Sequence, residues 1–293
     1  MTGVQTCALP IFGAVRRGAA LPIVADVHFD YRCALAALAA GADALRINPG
    51  NIGSRDRVEA VARAAAARHV PIRIGVNGGS LEKGETLVGS ALKHLKIVEG
   101  VGCRDVVLSA KTSDVRETIA VYRELAERTD CPLHLGVTEA GTLLPGTVRS
   151  SVALGLLLAE GIGDTIRVSL TGKPEKEVRV GLEILRALGL REPGPAVTSC
   201  PTCGRTRVDV VRVATQVEEA LETLYADGRA PRPFPRVAVM GCAVNGPGEA
   251  QGADVARCGG DGEYLLYVRG KPVSKVNEED AVRKVVEHVV SLQ

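Results

Sequence analysis

Short apolar runs alternate with longer amphipathic stretches along the first two thirds of the chain. The runs are continuous and rich in β-branched residues, whereas the amphipathic stretches repeat apolar residues at the period of a helix. Continuously apolar strands are buried on both faces, which is typical of parallel sheets. The predicted strands are Pro22–Val27, Ala44–Asn48, Pro71–Val76, Asp105–Ser109, Pro132–Val137 and Asp164–Leu170. The predicted helices are Arg32–Ala40, Arg55–Ala67, Leu87–Glu99, Val115–Arg128, Val148–Glu160 and Pro174–Leu188.

Six consecutive β/α units predict either a β/α barrel or a doubly wound sheet. We favour the barrel because polar residues follow nearly every strand, and the carboxyl ends of barrel strands form its catalytic rim. Each of these residues taken singly is explained equally well as a helix cap or a solvated loop residue. The rim residues are Asp26, His28, Arg46, Asn48, Arg73, Asn77, Lys111, Glu139, Arg167 and Ser169.

A Pro/Gly-rich break at Arg191–Pro195 separates these units from a smaller module of a normal domain size. The module is predicted to contain helix Asp209–Tyr225, strand Arg236–Met240, strand Tyr264–Val268 and helix Glu278–Leu292. The predicted fold class is therefore α/β. It is an incomplete (β/α)8-type barrel over residues 21–190, with about six units, followed by a small α+β domain over residues 196–293.

Composition excludes several classes of function. Aromatic residues make up 3% of the chain, and the net charge is +2, so nucleic acid is not expected as the main partner. No apolar run is long enough for a transmembrane helix, and the first residues lack a secretory pattern. The eight cysteines are scattered rather than dense, which favours a reducing compartment and predicts the cytoplasm.

Three cysteines and one glutamate in the second module form a candidate metal site. Cys200 and Cys203 have the spacing of a ligand pair, and Cys242 supplies a third thiol. Glu249 follows a Gly-Pro-Gly turn that can bring its carboxylate back toward the same metal. Spacing alone leaves three interpretations open: an iron–sulfur cluster, a zinc clip, or buried thiols without a metal.

Several long motifs, taken together and in this order, resemble one family. The motifs are ADVHFDYR, RINPGNIG, SAKTSD, HLGVTEAGT, SCPTCGR and MGCAVNGPGEA. The chain from about Leu21 to its C-terminus is similar to the 4-hydroxy-3-methylbut-2-enyl diphosphate synthases, which act in the methylerythritol phosphate route to isoprenoids.

The resemblance implies a fold, a reaction and a cofactor. It implies a β/α barrel followed by an iron–sulfur domain in which Cys200, Cys203, Cys242 and Glu249 hold a 4Fe-4S cluster. The substrate implied is 2-C-methyl-D-erythritol 2,4-cyclodiphosphate, whose ring is opened with loss of water and uptake of two electrons. Flavodoxin or ferredoxin is the implied electron donor, and a homodimer is the implied assembly.

The rim residues agree with this chemistry. Arginine and lysine side chains bind phosphate oxygens, and we expect Arg46, Arg73, Lys111 and Arg167 to hold the cyclic diphosphate. Asn48, Asn77, Ser169 and Asn245 are expected to add hydrogen bonds. Glu139 is the predicted catalytic acid, with an ion-pair partner of one arginine as the alternative. His134 and His28 are expected to be positioning or structural residues rather than proton shuttles.

The N-terminal segment is where the chain departs from the family pattern. Family members carry two further barrel strands before ADVHFDYR, whereas residues 1–20 here do not resemble the family. We therefore expect a truncated chain whose barrel lacks two strands, and an inactive fragment is one alternative. The others are a zinc-stabilised barrel protein that binds a phosphorylated small molecule, and an unrelated barrel enzyme acting on a sugar phosphate or pterin.

Overall fold

The structure is a computed structural model that describes residues 12–244, 246–260, 263–277 and 279–292, without the side chain of Glu249. The chain divides into two compact units, residues 1–184 and 185–293.

Unit 1 is built on parallel strands that follow one another in sequence order. Strands β1 to β4 pair as neighbours, β4 meets β5 through a parallel bridge between Leu108 and Leu133, and β5 pairs with β6. A doubly wound sheet would reverse its strand order, so this order confirms the barrel-type arrangement. The strands are β1 (Val24–Val27), β2 (Ala44–Ile47), β3 (Ile72–Asn77), β4 (Val106–Lys111), β5 (His134–Leu135) and β6 (Thr165–Ile166).

Helices follow the strands of unit 1, and polar caps fix where several of them begin. Asp30, Thr86 and Asp114 each accept a hydrogen bond from a backbone N–H of the first turn. The helices are α1 (Tyr31–Ala39), α2 (Pro49–Ile52), α3 (Arg55–Ala66), α4 (Leu87–Gly100), α5 (Val115–Arg128), α6 (Leu143–Ala159) and α7 (Pro174–Ala187), the last extending past the boundary between the units.

The core of unit 1 lies between the strands and these helices. Ile72 and Ile74 on β3 and Leu108 on β4 are fully buried. Strand residues alternate between two faces, so this apolar face leaves Arg73, Gly75 and Asn77 on the other. The polar positions of the strands are therefore gathered on one side of the sheet.

In unit 1, the hydrophobic pattern predicted the presence of each strand and helix more accurately than the residues at which it begins and ends. The predicted runs Pro132–Val137 and Asp164–Leu170 contain only two paired residues each, His134–Leu135 and Thr165–Ile166. The predicted helix Val148–Glu160 begins earlier, at Leu143, because a proline is tolerated in the first helical turn.

Unit 2 contains a mixed five-stranded sheet. Strands β7, β8 and β9 are parallel to one another, whereas β10 is antiparallel to β9 and β11 is antiparallel to β10. Helices α8 and α10 cover one face and bury an apolar core of valines and leucines. The elements are β7 (Val197–Ser199), α8 (Val210–Ala226), β8 (Val237–Met240), α9 (Gly246–Glu249), β9 (Val255–Gly259), β10 (Tyr264–Val268), β11 (Lys271–Val276) and α10 (Ala281–Ser291).

Three strands of unit 2 were not predicted: β7, β9 and β11. Strand β9 contains Cys258, which is paired with Met240 on β8 and is 1% exposed. Among the described residues, no helix has the length and apolar character needed to cross a membrane.

Candidate active site

Three charged side chains lie level with one another on neighbouring strands of unit 1. Asp26 on β1 is in register with Arg46 on β2, which is in register with Arg73 on β3. In-register residues of parallel strands point to the same face, so the sheet brings together residues far apart in sequence. Arg46 Nη1 donates a hydrogen bond of 2.9 Å to Asp26 Oδ1.

A glycine makes room for the Arg46 side chain. A Cβ atom built on Gly75 would lie 2.6 Å from Arg46 Nε and 3.0 Å from Nη2. The guanidinium therefore passes directly over the backbone of β3, where any other residue would displace it.

Arg73 is held by a histidine from β5. Arg73 Nη1 lies 3.2 Å from His134 Nε2, and His134 Nδ1 lies 2.8 Å from Thr165 Oγ1. His134 is 5% exposed. Burial, and next the positive charge of Lys111, lower the pKa of His134 to about 2, so the ring is neutral.

Lys111 is the last residue of β4 and lies among the arginines. Its side chain lies close to the backbone just after β5, because a Cβ on Gly136 would be 3.3 Å from Lys111 Nζ. Burial, followed by the charges of Arg167, Arg73 and Arg46, lowers the pKa of Lys111 to about 7. The structure thus brings together four of the cations that the sequence assigned to the rim.

A cavity of about 340 Å³ opens beside Lys111. Hydroxyl and amide groups line it together with two carboxylates, Glu117 and Glu139. Glu139 is exposed in a turn and has φ +52°, a left-handed conformation that is uncommon for a residue other than glycine. Backbone strain of this kind clusters at functional sites. The polar lining is formed by Asn77, Lys111, Thr112, Ser113, Glu117, Thr138 and Glu139.

Asn48 supplies a buried amide whose hydrogen-bonding capacity is unused. The residue is 1% exposed, and neither Oδ1 nor Nδ2 has a partner in the structure. Buried polar groups normally find a hydrogen-bond partner, so this amide is available to a ligand.

Two further predicted residues lie after β6. Arg167 is exposed, and its charge acts on Lys111, Arg73 and His134. Ser169 is partly buried in the same segment. Sequence reasoning did not assign Gly75, Gly136, Thr165 or Glu117 to the site. A glycine within an apolar strand, as at Gly75, is a recognised signal of close approach and could have pointed to one of them.

In unit 2, the carboxyl ends of adjacent parallel strands deliver two of the predicted cysteine ligands. Cys200 follows β7, and Cys242 follows β8. The backbone N–H of Gly241 donates to Cys200 Sγ at 3.2 Å. Hydrogen bonds to sulfur are one of the ways in which proteins stabilise cluster thiolates.

Cys203 is the exposed member of the set. Hydrogen bonds from the Arg205 amide and then from the Thr206 hydroxyl lower the pKa of the Cys203 thiol, which favours the thiolate that binds metals. Among the residues described, no three His, Cys, Asp or Glu side chains converge closely enough to hold a metal ion. Asn245 and the side chain of Glu249 lie outside the described residues.

Cys258 lies next to this thiol set. It packs with Met240 and Ala250, and Cys200 contacts the same small cluster. Burial raises the pKa of Cys258 to about 12, and the Cys242 and Cys200 thiols add to the shift. Cys258 is therefore a protonated, buried neighbour of the predicted ligands.

Two family patterns cover most of the chain. The GcpE TIM-barrel domain matches residues 4–182, and the GcpE protein C-terminal domain matches residues 196–291. The first range begins within the N-terminal segment. In the described part of that segment, Arg16 forms an ion pair of 2.8 Å with Asp43.

Relatives of high similarity share one name, 4-hydroxy-3-methylbut-2-en-1-yl diphosphate synthase (flavodoxin). The relative from Clostridium acetobutylicum is 50% identical over 98% of this chain and 84% of its own length. The relative from Geobacter sulfurreducens is 51% identical with the same coverage. The relative from Symbiobacterium thermophilum is 54% identical over 95% of this chain and 76% of its own.

Proposed function

Because this chain belongs to the GcpE family of 4-hydroxy-3-methylbut-2-en-1-yl diphosphate synthases, we propose that unit 1 binds the substrate and that unit 2 carries a 4Fe-4S cluster. The family reaction opens the ring of 2-C-methyl-D-erythritol 2,4-cyclodiphosphate reductively and yields 4-hydroxy-3-methylbut-2-enyl diphosphate, an isoprenoid precursor. The observation that carries the proposal for unit 1 is the group of cations around Lys111.

The diphosphate is assigned to Arg46, Arg73, Lys111 and Arg167. Burial is the largest cause of the lowered pKa values of Lys111 and Arg73, and the neighbouring cations lower both values further. The second effect indicates that these cations repel one another. A dense anion relieves this repulsion, and each guanidinium can hold two phosphate oxygens in a fixed orientation. Asn48, with its unused amide, and Asn77, Ser169 and Asn245 are assigned to the remaining polar groups of the substrate.

Glu139 is assigned as the catalytic acid. It lines the cavity together with Lys111, and its left-handed backbone is consistent with a functional role. In this role the carboxyl group donates its proton to the departing hydroxyl oxygen, which then leaves as water. Lys111, close by, stabilises the carboxylate that remains.

The residues of unit 2 fit a cluster in the chemistry of their donors. Cys200, Cys203 and Cys242 are soft thiol ligands, and Glu249 is assigned as the fourth, oxygen ligand. When bound, the cluster supplies electrons for the reduction.

We assign flavodoxin as the electron donor, since relatives carry it in their names, with ferredoxin as the alternative. We assign the cytoplasm as the compartment, because the eight cysteines are scattered rather than dense.

The assembly we propose is a homodimer in which the cluster domain of each chain serves the barrel of its partner. In a β/α barrel, the helix after a strand runs from the rim toward the opposite end. Only nine residues separate Ala187, the end of α7, from Val197, the start of β7. Even fully extended, such a linker reaches about 30 Å, which leaves little length for a return to the chain's own rim. A two-fold dimer solves this for both sites at once.

The ligand assignment is tested by anaerobic reconstitution with iron and sulfide. Cys242→Ser is expected to abolish stable cluster assembly, because one of three thiolates is lost. Cys258→Ser is the matched control, a buried thiol on the next strand that is expected to leave the iron content unchanged. Visible absorbance and iron analysis measure both variants. Four irons retained in Cys242→Ser, or a colourless zinc-containing wild type, would contradict the assignment.

A further inference from the structure

The contact between Arg73 and His134 fixes which ring nitrogen carries the proton. A guanidinium has N–H donors and no acceptor. Arg73 Nη1 lies 3.2 Å from His134 Nε2, so Nε2 must be unprotonated to accept this hydrogen bond. The single proton of the neutral ring then resides on Nδ1, which donates to Thr165 Oγ1 at 2.8 Å.

The groups around the ring keep it in this form. The charges that act on His134 are those of Lys111, Arg73, Arg167 and Arg46, all of them cations. A second proton on the imidazole would lie on Nε2, where its N–H would point at an N–H of Arg73 and replace a hydrogen bond by repulsion. His134 is therefore unsuited to shuttle protons in this site, and its fixed property is the acceptor at Nε2.

The backbone that carries His134 is held as firmly as its ring. Tyr122 is fully buried, and its hydroxyl donates to the carbonyl oxygen of His134 at 2.7 Å. The same hydroxyl accepts from the backbone N–H of Ala110 at 3.3 Å. Tyr122 thus links β5 to β4 at Ala110, the residue just before Lys111. This link fixes the backbone position from which the His134 side chain extends.

We propose that His134 is a positioning residue, whose unprotonated Nε2 holds the Arg73 guanidinium in the orientation that binds the substrate diphosphate. Arg73 itself sets the tautomer, Thr165 holds the ring through Nδ1, and Tyr122 fixes the backbone. This inference rests on the proposed function of unit 1, since Arg73 is there assigned to the diphosphate. His134 itself needs no contact with the substrate.

The tautomer is tested directly by ¹⁵N NMR of the labelled full-length chain. The expected spectrum has His134 Nε2 in the unprotonated, pyridine-type form and Nδ1 in the protonated form at neutral pH. Arg73→Ala removes the donor that faces Nε2, and a mixture of tautomers is expected in that variant. A protonated Nε2 in the wild type would overturn the proposal, whether or not the chain binds the cyclic diphosphate.

The positioning role is tested by substrate affinity. His134→Phe keeps an aromatic ring without an acceptor, and it is expected to weaken binding of the cyclic diphosphate roughly 10-fold to 100-fold. His134→Gln restores an acceptor near the position of Nε2 and is expected to recover much of the loss. His94→Gln is the control, since His94 is also partly buried but bonds only within α4, to Ser90. Equal affinity in wild type and His134→Phe would overturn the role.

A double-mutant cycle separates positioning from general damage to the fold. In an Arg73→Ala background, His134→Phe is expected to cause little further loss of affinity, because the group it positions is already absent. Fully additive losses would show that His134 acts independently of Arg73. Wild-type chain that binds neither the cyclic diphosphate nor pyrophosphate would instead contradict the proposed function of unit 1.

Discussion

Lys111 and His134 occupy one electrostatic environment and respond to it in the same direction. Each loses affinity for its proton first because it is buried, and then because arginines surround it. The consequence differs, since His134 is neutral at any working pH whereas Lys111 titrates near neutrality. Lys111 is therefore the residue whose charge a bound anion can change.

Binding of the cyclic diphosphate is expected to draw a proton onto Lys111. In the free chain its pKa is about 7, against an ordinary value of 10.5. Nearby phosphate charge raises the pKa, so at about pH 8.5 binding takes up as much as one proton per site. Calorimetric titration in buffers of different ionisation enthalpy measures this uptake, which Lys111→Met should remove. Identical proton uptake in that variant would assign the effect to another group.

Gly75 is the position where a single methyl group tests the placement of Arg46. Gly75→Ala puts a Cβ 2.6 Å from Arg46 Nε, so the guanidinium must move. Overpacking costs about 1–3 kcal/mol of folding stability, and we expect substrate binding to weaken because the displaced guanidinium no longer faces the diphosphate. Gly155→Ala in α6, where a Cβ meets nothing within 4 Å, is the control. Unchanged affinity in Gly75→Ala would show that Arg46 does not bind substrate in this orientation.

At the scale of elements, β9 carries a buried thiol on one face and a buried guanidinium on the other. Cys258 faces the small cluster next to the predicted ligands, whereas Arg257 is 1% exposed and stacks 3.5 Å above the ring of Tyr264. No guanidinium nitrogen of Arg257 has a hydrogen-bond partner in the structure. A buried cation without a hydrogen bond is costly, and burial lowers the pKa of Arg257 to about 10.

Replacing Arg257 by an apolar side chain of similar length is expected to stabilise the fold. Arg257→Met removes the uncompensated charge and keeps contact with Tyr264. The free energy of unfolding should rise by roughly 1–3 kcal/mol, the desolvation cost of an unsatisfied group. Urea unfolding measures it, with Arg236→Met as a control because Arg236 is exposed and should change stability little. A destabilised Arg257→Met would mean that the stacking outweighs desolvation.

At the scale of the whole molecule, the residue assignments proposed above divide one reaction between the two units. The cations and Glu139 belong to unit 1, and the proposed thiol ligands Cys200, Cys203 and Cys242 belong to unit 2. On these assignments the reaction needs one unit of each kind, and the proposed homodimer supplies them from two chains.

Complementation tests this arrangement. If the site is shared between chains, a heterodimer of Glu139→Ala and Cys242→Ser has one intact site and should recover part of the wild-type activity. Each parent homodimer should be inactive because both of its sites are defective. Activity is measured on isolated heterodimers after anaerobic reconstitution. No recovery, or an active monomer in sedimentation, would rule out the shared site.

The amino-acid sequence by itself determined where the strands of unit 1 lie and which polar side chains follow them. Continuous apolar runs and helical periodicity are local properties, so β1 to β4 and the polar residues after them could be predicted. The spacing of the pair Cys200 and Cys203 is equally local. The strand order and the family patterns confirm the barrel class, while the roles of the individual site residues stay predictions.

The tertiary structure alone decided what depends on neighbours distant in sequence. The lengths of β5 and β6 are set by their mutual pairing, which covers two residues in each strand. The strand position of Cys258 follows from its pairing with Met240. The acceptor role of His134 requires Arg73, which lies 61 residues earlier in the chain. Periodicity cannot contain such information, because register and contact are set when separate segments pack together.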